Sequence, residues 1–579
     1  MAESELGRYA STSESLSSGS IPWSSTSDEI STKEQLQICC KATYKIRRVK
    51  TKGAILVLVW SLLVSTGFWY VCSSSFRGRK PNDNGSTISA VVFGFTFPLA
   101  GWLADACVGR YRMIYCSALI MWAIAILETL STVVETLVSS YAPISAILRQ
   151  GLFGLMGVGL GGFLSTIVQF GMDQLHSAST DEVSAYIMWL VWTFGCPLLI
   201  MNFSFSYFYI NGQNLLFLGY LILCINFTLV LVSLFCCNSW LIKESLPQSP
   251  FKLIYQIIKY AVKHKYPEFR SAFTYCEDDV ISRIDFGKHK YGGPFTTEQV
   301  EDVKTFFKLL PIIVICGMLM GEIAAAKCLD YAVKLQFVYH KHESRLKYIT
   351  DHGVSMIIPF SMPLLVMLYE VCLYPIFHRC CQRVTTLHRF FLGTVVLSGT
   401  FLALMIFELL SRQSYLKNGY NETVSCTFFK DQVLATKFNY TWIVIPDILF
   451  AVSILLMAVG SLEFIAAQAP YSMKGILLGV SYGSALITGT IDSLLTVYGP
   501  FKQTLSIRGT KLIDCGFWHA LLHLVLCTFG CIIGALIIKC YKRRKREDVL
   551  PNEHFYAERY YSDNSEIRNG CCNKILICC

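Results

Sequence analysis

The chain has 579 residues, of which 53% are hydrophobic and only 16% charged, with a formal net charge of +10. A soluble domain carries closer to a quarter charged residues; here the basic excess sits in short segments beside apolar runs, which excludes a nucleic-acid face and points to membrane topology and lipid contact. The 24 cysteines fall largely inside apolar runs, where Cys behaves as a small hydrophobe, so they do not read as a disulfide framework.

Residues 1–52 open with a polar stretch rich in Ser, Thr and Glu, read as a disordered cytosolic N-terminus without a cleavable signal. Basic residues from Lys41 to Lys52 then abut the first apolar run, Gly53–Ser75. A bilayer core of roughly 30 Å needs about 20 helical residues, and its lack of hydrogen-bonding solvent requires each crossing to be a helix. Five more runs satisfy this: Ile88–Cys107, Met113–Val134, Ala146–Phe170, Ser184–Phe208 and Asn214–Leu241. A polar interval, 243–304, precedes six further runs: Thr305–Lys327, Val354–Phe377, Arg389–Leu410, Thr441–Ala466, Gly475–Gly499 and Asp514–Lys539. Residues 541–579 form a basic, Cys-rich tail.

The expected fold is therefore an all-α membrane protein with 12 transmembrane helices in two six-helix bundles, 53–242 and 305–540, joined by a cytosolic linker. That layout is the one used by the major facilitator superfamily. Positive residues beside the spans place both termini in the cytosol: Lys542, Arg543, Arg544, Lys545 and Arg546 in the tail, and Arg110 and Arg112 after the second span. Three sequons, at Asn84, Asn421 and Asn439, fall in loops expected on the opposite side and are candidate glycosylation sites. The basic loop with Lys341, Arg345 and Lys347 runs against the same charge rule. In the linker, Ser249-Pro250 reads as an N-cap with Pro at the first helical position. Phe251, Ile254, Ile257, Ile258 and Ala261 recur at helical spacing, which predicts an amphipathic helix on the inner membrane surface. Thr296 and Gln299 have capping-box spacing before the seventh span.

Four stretches carry a resemblance. Gly101-Trp-Leu-Ala-Asp105 through Gly109-Arg110-Tyr111-Arg112 resembles the loop signature of major facilitators. Gly161-Gly through Asp173-Gln174, Phe295 through Pro311, and Leu462-Glu463-Phe464 through Lys474 are similar to helices four, seven and ten of the proton-coupled oligopeptide transporter (POT/PTR) family. This resemblance, over about 53–539, implies a secondary carrier of peptides or related solutes. The departures are equally specific. Family members driven by protons carry Glu-x-x-Glu-Arg in helix one, where this chain has Ser61, Val64 and Ser65, and a helix-four lysine where it has Leu164.

Glu463 lies in an apolar span, where an ionisable group is costly and rarely idle. The resemblance implies that it holds a substrate's amino group; the competing reading is a structural pair with Lys327 or a hydroxyl. Glu322, Trp69 and Tyr70 are further candidates for substrate contact, and Asp105, Arg110 and Arg112 for an ion-pair latch between helices. Asp447 and Asp492 are weaker candidates, and the span-four glycines, Gly157, Gly159, Gly161 and Gly162, read as close helix packing. His519 and His523 stand one turn apart, a spacing that can bind metal, yet the sequence shows no third ligand, so no metal and no cofactor are expected. Cys571, Cys572, Cys578 and Cys579 are candidate acylation sites beside basic residues.

The leading expectation is alternating-access transport of a di- or tripeptide or an amino compound, not enzymatic activity. Its partners would be the solute and the bilayer, with a proton as candidate co-substrate and no obligate protein partner or nucleic acid. The missing helix-one and helix-four charges make proton coupling doubtful: weakened, absent or routed through Glu463 or Glu322. The alternative is a transport-inactive relative acting as a membrane scaffold or receptor. The residence membrane, plasma or endolysosomal, stays open.

Overall fold

The computed structural model describes residues 49–77, 84–138, 142–175, 180–210, 216–243, 249–264, 282–337, 357–373, 386–418, 423–425, 432–434, 444–498, 503–507, 510–514 and 517–541. Among these residues are thirteen α-helices. Six precede the linker: α1 (Lys52–Arg77), α2 (Asn84–Leu103), α3 (Arg110–Leu137), α4 (Ala142–Asp173), α5 (Thr180–Ile210) and α6 (Leu216–Cys236). The linker holds α7 (Pro250–Lys263). Six follow it: α8 (Thr297–Phe337), α9 (Ile357–Leu368), α10 (Thr386–Asn418), α11 (Val444–Gln468), α12 (Lys474–Tyr498) and α13 (Phe517–Cys540). Every helix except α7 overlaps one of the twelve apolar runs. Among the described residues, seven helices carry a stretch long and apolar enough to cross a membrane by length and composition alone.

Within the first half, α1 packs on α5 and α6, and α4 on α2 and α3; within the second, α10 packs on α11 and α13, and α8 on α12. The halves meet chiefly where α2 crosses α12, with α5 against α9 as the second seam. The α2–α12 crossing is close enough to require glycine: a Cβ on Gly101 would lie 2.2 Å from the carbonyl oxygen of Gly475. Two short antiparallel hairpins have no counterpart among the expected elements: β1 (Thr423–Ser425) with β2 (Gln432–Leu434), between α10 and α11, and β3 (Gln503–Ile507) with β4 (Thr510–Asp514), between α12 and α13. The expected twelfth run accordingly starts late, because Asp514 closes a strand and the helix begins at Phe517.

The linker follows its sequence signals. Ser249 occupies the N-cap position and Pro250 the first helical one, although the serine hydroxyl makes no capping bond. Leu253, Ile254, Ile257 and Ala261 are buried, while Phe251, Tyr255, Ile258 and Val262 leave a second apolar stripe exposed. The capping box is complete: the Thr296 N–H donates to Gln299 Oε1 at 3.1 Å and the Gln299 N–H to Thr296 Oγ1 at 3.2 Å. Helix α8 then runs without a break from linker into span.

A charge cluster fixes the linker to the start of α8. Lys288 Nζ lies 2.7 Å from Asp285 and 2.5 Å from Glu301, and Lys304 Nζ 2.9 Å from Asp285. Burial pushes the Asp285 carboxyl up, but hydrogen bonds from Lys288, Ser282 and Lys304 outweigh it and hold the group well below the usual carboxylate range. For a depressed acid, the stabilisation is present above the unfolded pKa and disappears only as pH falls through the folded value. Burial lowers the Lys288 ammonium, and its bonds to Asp285 and Glu301 more than reverse that, so its contribution is lost only in strong base. The linker is therefore expected to stay docked between pH 8 and pH 5, with hydrogen-exchange protection of 282–304, corrected for intrinsic rate, unchanged across that range. Asp285→Asn should reduce it; loss of wild-type protection at pH 5 would refute this account.

Candidate functional site

Three polar clusters and a set of four neutral positions define the functional interior among the described residues. The first cluster closes the linker side between the halves. Helix α2 ends in a π-helical turn, Ala104–Val108, which carries Asp105, and the chain turns into α3 at Gly109, whose φ of 89° suits only glycine without strain. That turn aims Asp105 at the start of α12, where the N–H groups of Gly475 and Ile476 donate to its Oδ2 at 2.7 and 3.2 Å. A carboxylate at a helix N-terminus is favoured by the helix dipole and the free amides. Arg110 completes the closure. Its guanidinium lies 3.3 Å from Asp105 and 2.7 Å from Asp173 on α4. It also donates to the hydroxyl and the backbone carbonyl of Tyr471, each at 2.9 Å, with the tyrosine ring 4.7 Å away. Asp173 is itself held by the Gln169 side-chain amide at 2.9 Å.

The expected latch thus contains Asp105 and Arg110 but not Arg112, which is exposed further along α3. Helical geometry explains the correction: residues two apart point to different sides, so only one arginine can face the seam. Asp173 and Tyr471 complete the group. Both belong to stretches that carry the family resemblance, and that is the only sequence signal for them.

Glu463 is buried on α11, five residues before the helix ends, and so nearer the linker side than the middle of the span. Its Oε2 lies 2.8 Å from Arg389 Nη1 on α10, and Ser184 on α5 donates to its Oε1 at 2.5 Å. Its cationic partner is therefore Arg389, where sequence reading offers Lys327, whose side chain lies outside the described set. Ser184 belongs to the first half of the chain, so one carboxylate spans both halves.

Across the seam, the positions that the resemblance matches to charged ones in proton-driven relatives are neutral and packed. Ser61, Val64 and Ser65 are buried, and the Ser65 hydroxyl donates to the Thr193 carbonyl of α5 at 2.9 Å. Leu164 is partly buried in the same core.

Glu322 does not join Glu463. Its Oε2 lies 2.5 Å from His523 Nδ1, and His523 Nε2 reaches Asp492 Oδ1 at 2.6 Å. His519 Nε2 is 3.0 Å from the same Asp492 oxygen and 3.0 Å from His523 Nε2. The third group that the sequence pattern lacks beside the two histidines is Asp492, 27 residues before His519. Asp447 is fully buried in the first turn of α11. The span-four glycines do mark tight packing, as Gly157 against Phe93 and Gly162 against Ser117. Trp69 and Tyr70 lie on α1, with side chains outside the described set, and Asn84 is the first residue of α2. Asn421, Asn439 and the tail cysteines Cys571, Cys572, Cys578 and Cys579 lie outside the described residues.

The sequence profile of the POT family matches residues 111–498, more than half of the chain. Solute carrier family 15 member 3 of Mus musculus is 20% identical over 500 residues, covering 77% of this chain and 84% of that protein. Among solved structures, an auto-inhibited POT family peptide transporter superposes with a TM-score of 0.58 at 14% identity, over 86% of this chain and 99% of that one. A POT family transporter in complex with 5-aminolevulinic acid gives a TM-score of 0.51 at 13% identity, over 84% and 96%. At such identities these structures show the fold alone, the helical fold that they share with this chain.

Proposed function

The chain belongs to the POT family, and on that premise we propose that it is a secondary carrier moving a small organic solute by alternating access. The rocking units would be the helices of 53–242 and 305–540, hinged through the linker 243–304, with the linker and both termini in the cytosol. The observation that carries this reading is the linker-side closure. Its contacts between the halves include charge-assisted hydrogen bonds from Arg110 and to Asp105, whose partners water can replace when the halves part.

The substrate class follows from the pair Glu463–Arg389. Glu463 would receive an ammonium group, and Arg389 supplies the cation for a carboxylate, replacing the arginine absent from helix one. A zwitterion could displace the internal pair without leaving either charge alone, as a purely anionic or cationic solute could not. A related transporter of the same fold holds 5-aminolevulinic acid, an amino-bearing acid, which supports the choice of a di- or tripeptide or amino compound. With Ser61, Val64, Ser65 and Leu164 neutral, the first half offers no carboxylate for a proton at these positions, so coupling is weakened, absent or routed through Glu463 or Glu322.

Proteoliposome uptake with a panel of zwitterionic amino compounds, dipeptides and tripeptides, with and without an imposed pH gradient, tests the proposal. Saturable uptake of at least one zwitterion with little gradient-driven accumulation is expected. Absence of saturable uptake and of binding across the panel, for monodisperse protein, would overturn the carrier reading. Strong gradient-driven accumulation that survives both Glu463→Gln and Glu322→Gln would overturn the coupling.

A further inference from the structure

The cluster on α8, α12 and α13 lies at the end of the second half remote from the linker, since His519 is the third residue of α13 and Asp492 lies six residues from the end of α12. All four side chains, Glu322, Asp492, His519 and His523, are buried. Three atoms converge on one point: His519 Nε2, His523 Nε2 and Asp492 Oδ1 are separated by 3.0, 3.0 and 2.6 Å. The fourth group orients one of them, because Glu322 at 2.5 Å engages the opposite nitrogen, Nδ1, of His523.

Their chemistry narrows what can occupy that point. A neutral His523 donating Nδ1–H to Glu322 presents a lone pair at Nε2, directed at a carboxylate oxygen 2.6 Å away. Two acceptors do not approach that closely without a positive charge between them. A proton on Nε2 would relieve that contact, but with His519 neutral it leaves the four groups at net charge −1 in an apolar span, an expensive arrangement. A divalent cation facing two neutral imidazoles and two carboxylates brings the sum to zero. It also accepts all three converging atoms at once, whereas a proton bridges only two.

The distances fit. Nitrogen and oxygen ligands at about 2.0–2.1 Å from a tetrahedral zinc ion lie about 3.3 Å from one another. Two of the pairs, at 3.0 Å, need to part by about 0.3 Å, and the His523–Asp492 pair, at 2.6 Å, by about 0.7 Å. A ligating histidine typically donates its other N–H to a carboxylate, which fixes the tautomer and turns the free nitrogen to the metal; Glu322 stands in that relation to His523. The Phe401 ring, stacked on His523 at 5.4 Å, holds the imidazole in place.

We propose that Asp492, His519 and His523 form a resident site for a divalent transition metal of the zinc class, with Glu322 as the outer carboxylate. Mixed imidazole and carboxylate donors suit zinc, cobalt and nickel better than calcium or magnesium. The metal ties α12 and α13 together and, through Glu322, secures them to α8 at the end of the bundle opposite the linker. It stands apart from the Glu463–Arg389 pair and is not cargo.

The test uses the full chain, purified in detergent and stripped with a chelator. Titration with Zn2+ against a chromophoric competitor should give one equivalent bound and a higher Tm. Co2+ should give the visible absorption of a four-coordinate complex. His519→Asn and His523→Asn should each abolish stoichiometric binding, and Glu322→Gln should weaken it about 10- to 100-fold with stoichiometry retained. Cys527→Ala should leave it unchanged. X-ray absorption on wild-type protein loaded with one equivalent of zinc settles the ligands without any variant: nitrogen and oxygen scattering supports the site, and sulfur scattering assigns the metal to thiols and overturns it. Failure of stripped, monodisperse wild type to bind Zn2+, or binding that survives both histidine substitutions together, overturns it as well and favours a proton-only network.

Discussion

Arg110→Met is expected to shift the protein strongly toward a conformation open on the linker side. The reasoning separates bonds within one half from bonds across the seam. Arg110, Asp105 and Asp173 all belong to the first half, so their mutual ion pairs persist whether the halves are together or apart. The contacts to Tyr471 exist only in the closed arrangement. Each hydrogen bond involving a charged group contributes about 1.5–3 kcal/mol. Losing two of them removes at least about 3 kcal/mol from the closed state, roughly a hundredfold change in the ratio of closed to open. The substitution also leaves Asp105 and Asp173 without the cation between them, and the half-buried seam is a poor medium for that repulsion. Tyr471→Phe isolates the cross-seam part, since it deletes the hydroxyl's bond from Arg110 and its long 3.5 Å contact to Asp173 and leaves the ion pairs alone; its effect should be about tenfold in the same direction. Arg110→Lys should fall between, because a single ammonium cannot reach Asp173 and both Tyr471 oxygens in the way a planar guanidinium does. Spin-label distances between the linker-side ends of α4 and α11 read the populations directly. Distributions that stay at the wild-type length in both Arg110→Met and Tyr471→Phe would show that the group is static reinforcement.

What the sequence makes legible, and what it conceals, follows from the range of the interactions. The helices are readable because lipid imposes the same demand on every span, and a local apolar run meets it without reference to the rest of the chain. Capping is readable for Thr296 and Gln299, three residues apart, because both partners sit in one turn; Ser249 has the right identity and position, yet its hydroxyl makes no capping bond. Glu463 stands out for the same local reason, a charge in an apolar segment. Its partners do not. Arg389 precedes it by 74 residues and Ser184 by 279, and neither separation has a period that a reader could follow. Arg389 reads from sequence as the boundary of the ninth span, where a basic residue is ordinary. The histidine pair shows its i, i+4 spacing at once, while Asp492 lies on another helix beyond a β-hairpin whose strands carry no clear alternation. The latch is legible in part because the turn through Gly109 holds Asp105 and Arg110 close in sequence. Its second half, at Tyr471 and Gly475, is a matter of tertiary placement, and for Tyr471 the family resemblance of its stretch is the only sequence signal.

The larger functional effect is expected at Glu463, where Glu463→Gln should reduce solute uptake about 10- to 100-fold, the worth of one charge-assisted contact. The direction of the companion substitution decides why. In the closed state Arg389 already occupies the Glu463 carboxylate, so a solute's ammonium must displace it. Arg389→Gln removes that competitor. Solutes with an amine and no carboxylate should then bind more tightly than in wild type, while zwitterions lose the arginine that receives their acidic end and bind more weakly. A purely structural pair predicts something else: both substitutions destabilise the fold, since each leaves the opposite charge buried without its partner, and neither changes the ranking of solutes. The double substitution Glu463→Arg with Arg389→Glu sharpens the contrast. It restores an ion pair between α10 and α11, and so restores thermal stability in either case, but it exchanges the positions of the two charges relative to Ser184 and the opposite half. Recovery of stability without recovery of uptake assigns the pair to the solute. Recovery of both together would assign it to helix packing, and the carrier would then need a different residue to grip its cargo.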